Sequence, residues 1–213
     1  MNNGKIAAVI GVRKGSERIV NKNIKPFNDT SLLENKIKIL KNVNNLDEIV
    51  VTTDCDKMFS LAEQLGVKAI TRPEYYTSND CPGSENLEFI ATQVETDYIL
   101  YTPVTSPLVK SETYEDIINT FRNLDDKYDS VVSMNYLKDF LWENDKPLNY
   151  DPLNCPRSQD MESIFRLNFG ACLLPRETMI NNKYVVVFTL QSDVLGVATK
   201  EQGLERSALT FVG

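Results

Sequence analysis

The sequence contains no histidine. That removes the side chain most often used as a general base near neutral pH, so proton transfer has to run through carboxylates, lysine, arginine, tyrosine or a metal ion. Triad hydrolases are disfavoured at once. Cysteine is also scarce: Cys55, Cys81, Cys155 and Cys172 stand far apart with no CxxC pair. Without histidine they lack partners for a zinc site and are read as reduced thiols, at least two of them buried. No apolar run approaches the ~18 residues that span a bilayer, and no small-residue cleavage site follows the first residues. The expected location is the cytoplasm. Basic residues are outnumbered 23 to 30, a formal net charge of -7. DNA and anionic membranes repel such a molecule at long range, and a phosphate ligand needs a local basic cluster on it.

What is present is a globular composition, 42% hydrophobic and 25% charged, which excludes the disordered and collagenous classes. A chain of 213 residues suits one α/β domain with one excursion. Residues 5–12 form a continuous apolar run, as expected of a strand covered on both faces. Residues 31–43 place Leu32, Leu33, Ile37 and Leu40 near one helical face, with Ser31 as N-cap and Glu34 three residues on. Strands are predicted at 48–53 and 67–71, with a helix at 56–65 ended by Gly66. The alternation continues with helices at 85–94 and 111–124 and strands at 98–102 and 130–134. Right-handed crossovers then build a doubly wound, mostly parallel sheet. Between 136 and 163 the periodicity fails around Trp142, Pro147, Pro152 and Pro156, marking an irregular insertion in a single domain. Strand patterning resumes at 164–174 and 184–190, and a short helix is expected after Thr199.

Directly after the first strand comes Arg13-Lys14-Gly15-Ser16-Glu17-Arg18, followed by Asn21-Lys22-Asn23. Backbone amides at the carboxyl end of a parallel strand point at an anion, and the nearby cations supply charge. With Gly15 as its sole glycine, the loop fits neither the GxGxxG dinucleotide fingerprint nor the GxxxxGK[ST] phosphate loop. A dinucleotide oxidoreductase is therefore disfavoured. A triphosphate cradle and a solvated basic loop both fit the spacing.

The order Arg13-x-Gly15-Ser16 with Lys22-Asn23 resembles the first motif of the acylneuraminate (CMP-sialic acid) cytidylyltransferases. The resemblance continues through 49–54, Arg72-Pro73 with Asp80 and Ser84, the Thr105-Ser106-Pro107-Leu108 turn, Pro156-Arg157-Ser158-Gln159, and Phe165-Arg166-x-Asn168-x-Gly170. It implies a nucleotidyltransferase-type Rossmann-like fold, attack of an acceptor oxygen on the α-phosphate of CTP, release of pyrophosphate, Mg²⁺ as cofactor and a homodimer whose arm is 136–163. Catalysis would rest on positioning and electrostatics. Arg13 and Lys22 are then the catalytic candidates. Nucleotide contacts fall to Arg13, Lys14, Gly15, Ser16, Lys22, Asn23, Arg72, Asp80 and Ser84, and the acidic acceptor to Thr105, Ser106, Arg157, Gln159, Arg166 and Asn168. Structural roles compete: a surface pair of Arg72 with Glu74, a turn cap by Asp80, and a bulge at Asn168 and Gly170.

Three departures bear on this resemblance. The family's Asp-x-Asp-Thr metal motif reads Gly196-Val197-Ala198-Thr199 here, and neither Gly nor Ala offers the carboxylate oxygen that magnesium prefers. Asp193 is a weak substitute at the wrong spacing, and Asp54 is another, with helix N-cap as its competing role. Pro103 replaces a glutamine, and Val109 an arginine, on the acceptor side. The related KDO cytidylyltransferases carry Gly-Lys-Pro where this chain has Asn21-Lys22-Asn23. The alternatives are thus a KDO-type or non-sugar acid acceptor, or a nucleotide-binding module with impaired catalysis.

Overall fold

A computed structural model describes residues 3–15, 19–125, 128–161, 164–185, 193–198 and 208–210. Strand β1 (Ile6–Gly11) leads through a 3-10 turn (Lys22–Ile24) to a small ribbon, β2 (Pro26–Phe27) and β3 (Thr30–Ser31). Helix α1 (Leu32–Lys41), β4 (Glu48–Thr53), α2 (Asp56–Gln64) and β5 (Lys68–Thr71) follow. Next come α3 (Gly83–Thr92), β6 (Tyr98–Tyr101), α4 (Ser111–Arg122) and β7 (Tyr128–Leu137). A second ribbon, β8 (Trp142–Glu143) and β9 (Lys146–Pro147), precedes β10 (Ile164–Pro175), α5 (Arg176–Asn182), β11 (Asp193–Ala198) and β12 (Ala208–Thr210).

The main sheet has the order β12-β11-β7-β10-β6-β1-β4-β5. Strands β6, β1, β4 and β5 are parallel, and β10 runs antiparallel between β6 and β7. Strand β1 explains its own apolar run. Ile6, Ala8 and Ile10 join Leu33, Ile37, Met58, Tyr114 and Phe121 on one face, where α1, α2 and α4 pack. Ala7 and Val9 join Ile90, Ala91 and Met179 on the other, under α3 and α5. Both faces are covered, so alternation vanishes from the sequence.

Local signals held where their causes are local. Ser31 Oγ accepts the Glu34 amide at 3.2 Å at the start of α1, and Gly66 takes φ +68 just past α2, a conformation that favours glycine. All four cysteines are free, with Cys55 and Cys172 buried. Other expectations change. Helix α3 starts at Gly83, ahead of Glu85. Strand β7 runs through Tyr136 and Leu137, and the insertion contains the β8–β9 ribbon and 3-10 turns at Pro152–Asn154 and Ser158–Asp160. It joins antiparallel neighbours, which need no helical crossover. Helix α5 was not anticipated. Tyr184 and Val185 lie in a bend rather than a strand, with 186–190 outside the described residues. Of the tail expected to be helical, Ala208–Thr210 is a strand paired with β11, because an adjacent edge there supplies hydrogen-bond partners that a local helix signal ignores; 199–207 lie outside the described residues.

Candidate functional site

The chain passes from β1 to β4 and β5 on one side, then crosses to β6 on the other. Beyond the carboxyl ends of β1 and β6 this reversal opens the crevice where ligands bind in such sheets. The Arg13 loop leaves β1 at that point. Its start is tied down on both sides: the Lys14 amide donates to Asp54 Oδ1 at 2.7 Å, and buried Asn23 donates from Nδ2 to the Arg13 carbonyl at 3.1 Å. Asn21, at φ 54, turns the chain into the 3-10 segment that carries Lys22 and Asn23. Arg13 Nη1 donates to the Thr77 carbonyl at 2.7 Å and to Asn79 Oδ1 at 3.0 Å. Lys14 and Gly15 are exposed and Lys22 is half-buried, while Ser16 lies outside the described residues.

Arg72 is the floor of this cluster. It is only 4% exposed, donates from Nη2 to the Val12 carbonyl at 2.5 Å and from Nη1 to Asn86 Oδ1 at 3.0 Å, and leaves Nε without a partner among the described residues. It does not make the surface pair with Glu74. Burial pulls its pKa down, Tyr101 and Asp54 oppose this, and Arg13 adds to it. A guanidinium held by neutral acceptors keeps most of its field for a neighbouring anion. Gly11 makes the close approach possible: a Cβ there would stand 3.3 Å from Ile90 Cδ1, 3.5 Å from Arg72 Nη1 and 3.6 Å from Tyr101 Oη. Burial raises the Tyr101 phenol pKa, which the Arg72 guanidinium opposes. Asp54, a weak metal-ligand candidate from sequence with helix cap as its competing role, anchors the loop through Oδ1, and the N-cap position of α2 is taken by Cys55.

The remaining candidates are spread around the rim. Asp80 and Ser84 are exposed before and within the first turn of α3. Thr105 is exposed and Ser106 half-buried in the turn after β6; the Ser106 carbonyl accepts from Lys36 Nζ and the Pro107 carbonyl from Asn35 Nδ2, both at 3.0 Å. Arg157 pairs with Asp160 at 2.7 Å, and the Gln159 carbonyl accepts from Lys138. Arg166 is exposed opposite Asn135 of β7. Asn168 organises an irregularity in β10: its Oδ1 accepts from Ser133 Oγ at 2.6 Å and from the Gly170 amide at 2.8 Å, while its Nδ2 donates to Asn135 Oδ1 at 2.6 Å. The β7 register slips between Leu167 and Cys172, and Phe169 adopts φ 52. The bulge role of Asn168 is therefore realised in the structure.

Several members of the site escaped the sequence reading. Thr77 and Asn79 hold Arg13 from 64 and 66 positions away, and Asn86 holds Arg72 from 14, separations that carry no local signature. Lys36 did have one, since it falls between Leu33 and Leu40 on the apolar stripe of α1.

Among the described residues no group of three His, Cys, Asp or Glu side chains comes together. Asp54, the carboxylate at the loop, accepts the Lys14 amide through Oδ1. Gly196 and Ala198 lie opposite Val132 and Met134, whereas the Asp193 backbone lies opposite Tyr128, at the amino end of β7 and away from the crevice.

A mostly parallel sheet with helices on both faces and a cationic loop at the switch point defines a nucleotidyltransferase-type Rossmann-like domain. The fold is shared by CMP:2-keto-3-deoxy-manno-octonic acid synthetase complexed with CTP, at TM-score 0.67 and 16% identity over 95% of this chain and 93% of that one. It is also shared by 4-diphosphocytidyl-2C-methyl-D-erythritol synthase from Anaerococcus prevotii DSM 20548, at TM-score 0.63 and 13% identity, covering 92% and 88%. The chain belongs to the cytidylyltransferase family, which it matches over residues 7–184. The N-acylneuraminate cytidylyltransferase of Escherichia coli O18:K1:H7 (strain RS218 / NMEC) is 31% identical over 134 residues, 61% of this chain and 31% of the relative. That of Oncorhynchus mykiss is 27% identical over 183 residues, 82% and 42% respectively. The chain thus spans less than half the length of these relatives. No helix among the described residues is long and apolar enough to cross a membrane.

Proposed function

We propose that the chain transfers CMP from CTP to a small acidic sugar of the nonulosonic type. The acceptor hydroxyl gives up its proton to solvent as its oxygen bonds to the α-phosphorus, the bond from that phosphorus to the bridging oxygen breaks, and pyrophosphate leaves. The observation that carries this reading is the cationic cluster of Arg13, Lys14, Lys22 and buried Arg72 at the carboxyl end of β1, on a molecule of net charge -7. Arg13 and Lys22 neutralise charge as it builds on the leaving pyrophosphate, and loop amides help to orient the phosphates. Arg72 and Asn23 hold the wall on which the nucleotide rests, with Asp80 and Ser84 at its edge. Thr105, Ser106, Arg157, Gln159, Arg166 and Asn168 border the acceptor side, where a forked guanidinium reads a carboxylate. Family membership makes a divalent ion an expected participant, which when bound would neutralise charge on the phosphates.

A KDO-type acid is the second acceptor to test, since a 3-deoxy-manno-octulosonate cytidylyltransferase of Rickettsia bellii (strain OSU 85-389) is 27% identical over 134 residues. Pyrophosphate release should be measured with CTP, Mg²⁺ and a panel of nonulosonic, KDO-type and non-sugar acids, beside calorimetry with CTP alone. Release with one acid class supports the transferase. Binding of CTP with no release on any acid would instead favour a nucleotide-binding module, the reading motivated by Gly196 and Ala198. The insertion is the dimer arm of this proposal: Trp142 and Leu148 are each 59% exposed and Leu153 is 96% exposed. Light scattering should return a dimer, and a monomer at micromolar concentration would remove that part.

A further inference from the structure

Lys36 lies where a charge is costly. It is fully buried in α1, in line with Leu33, Ile37 and Leu40, and none of the ion pairs among the described residues includes it. Its ammonium donates to the Ser106 carbonyl at 3.0 Å and to the Tyr114 hydroxyl, and stands 5.0 Å from the centre of the Tyr114 ring. Tyr114 is itself fully buried in α4. The preceding side chain, Asn35, donates to the Pro107 carbonyl at 3.0 Å. Two consecutive side chains of α1 therefore grip two consecutive carbonyls of one turn.

That turn is largely open to solvent. Val104 is buried before it, but Thr105 is exposed and Leu108 is 85% exposed. It leaves β6 at the crevice. Val109, just past it, comes 3.7 Å from where a Cβ on Gly170 would stand, beside the Asn168 bulge. A methionine would fill the Lys36 site without desolvating a charge, so core packing alone does not account for lysine there. The ammonium adds a directional, charged donor to the Ser106 carbonyl beside the amide donor that Asn35 gives the Pro107 carbonyl.

We propose that Lys36, assisted by Asn35 and backed by Tyr114, is a positioning residue that latches the Thr105–Leu108 turn and so sets the acceptor-facing wall of the site. This rests on the reading of that turn as part of the acceptor side. Lys36 touches neither nucleotide nor acceptor and acts through the turn.

The test compares the full chain with Lys36→Met, Tyr114→Phe and the surface control Lys38→Met. Hydrogen exchange followed by mass spectrometry reads the latch directly: amides at 105–109 should exchange about tenfold faster in Lys36→Met and to an intermediate degree in Tyr114→Phe, with β1 and β4 unchanged. Steady-state kinetics on whichever acid the wild type turns over should show the acceptor KM rising about tenfold, with a smaller change in kcat and CTP affinity held within about twofold. Unchanged exchange at 105–109 in both variants overturns the latch, and Tyr114→Phe keeps that outcome available should Lys36→Met fail to fold. Faster exchange with an unmoved acceptor KM overturns the positioning role. If the wild type turns over no acid, the acceptor reading of the turn fails, and with it the positioning role; the exchange measurement still decides the latch itself.

Discussion

Lys36 makes a quantitative claim about stability. Burial pulls its amine pKa down from 10.5 to about 8, which corresponds to ~3 kcal/mol of penalty on the charged form in the folded state. Below about pH 8 both folded and unfolded chains carry the proton, so the penalty is present in full. Between about pH 8 and pH 10.5 the unfolded chain binds more protons than the folded one, and stability rises with pH through that window. Replacing Lys36 with Met removes the penalty but leaves the Ser106 carbonyl and the Tyr114 hydroxyl without their donor, costs of similar size. Near-parity is expected at about pH 7. By about pH 9.5 the wild type should have gained ~2 kcal/mol relative to Lys36→Met. Burial also raises the pKa of Tyr114 and Cys172; Cys172 is remote from the change and cancels in the difference, and Tyr114→Phe measured alongside accounts for the tyrosine. Urea unfolding of the two proteins across this range, read by far-UV circular dichroism, measures it. A stability difference that stays constant with pH would refute a charged Lys36 in a desolvated site.

Arg13→Ala and Lys22→Ala should each weaken CTP binding by about tenfold or more, since each deletes a charge-assisted contact; calorimetry showing native affinity in both would move the triphosphate elsewhere. Arg72→Met strips the partners from the Val12 carbonyl and Asn86 Oδ1 and should lower stability by about 1–3 kcal/mol while also weakening CTP binding; thermal unfolding beside the same titration checks both, and a loss of neither removes Arg72 from the site. Burial pushes the Cys172 thiol up to about 12, and Cys155 is exposed. A thiol reagent at mild alkaline pH should therefore modify Cys155 in the native protein and reach Cys172 only on unfolding, because the thiolate is the reacting species; rapid native labelling at Cys172 would contradict the packing of β10 against β6.

Much of the architecture was legible because its causes are short-range. The unbroken run of β1, the Ser31 cap three residues before Glu34, and Gly66 just past α2 each act within a few residues, and the structure keeps all three. The basic loop was legible for the same reason: Arg13, Lys14, Lys22 and Asn23 are close in the chain, and a parallel strand points its following loop at the crevice. What only the tertiary structure decided is which distant groups meet. Nothing near Arg72 announces the Val12 carbonyl, 60 residues away, as its acceptor, and nothing near Asp54 announces the Lys14 amide. Strand β10 reads as a strand in the sequence, but its reversed direction and its bulge at Asn168 depend on pairing with β6 and β7. Lys36 stands on the apolar stripe of α1 in the sequence, but its acceptors come into place only when α4 and the Ser106 turn close over it. Periodicity and capping fix the local elements, whereas a buried charge and its acceptors are matched only when separate elements pack.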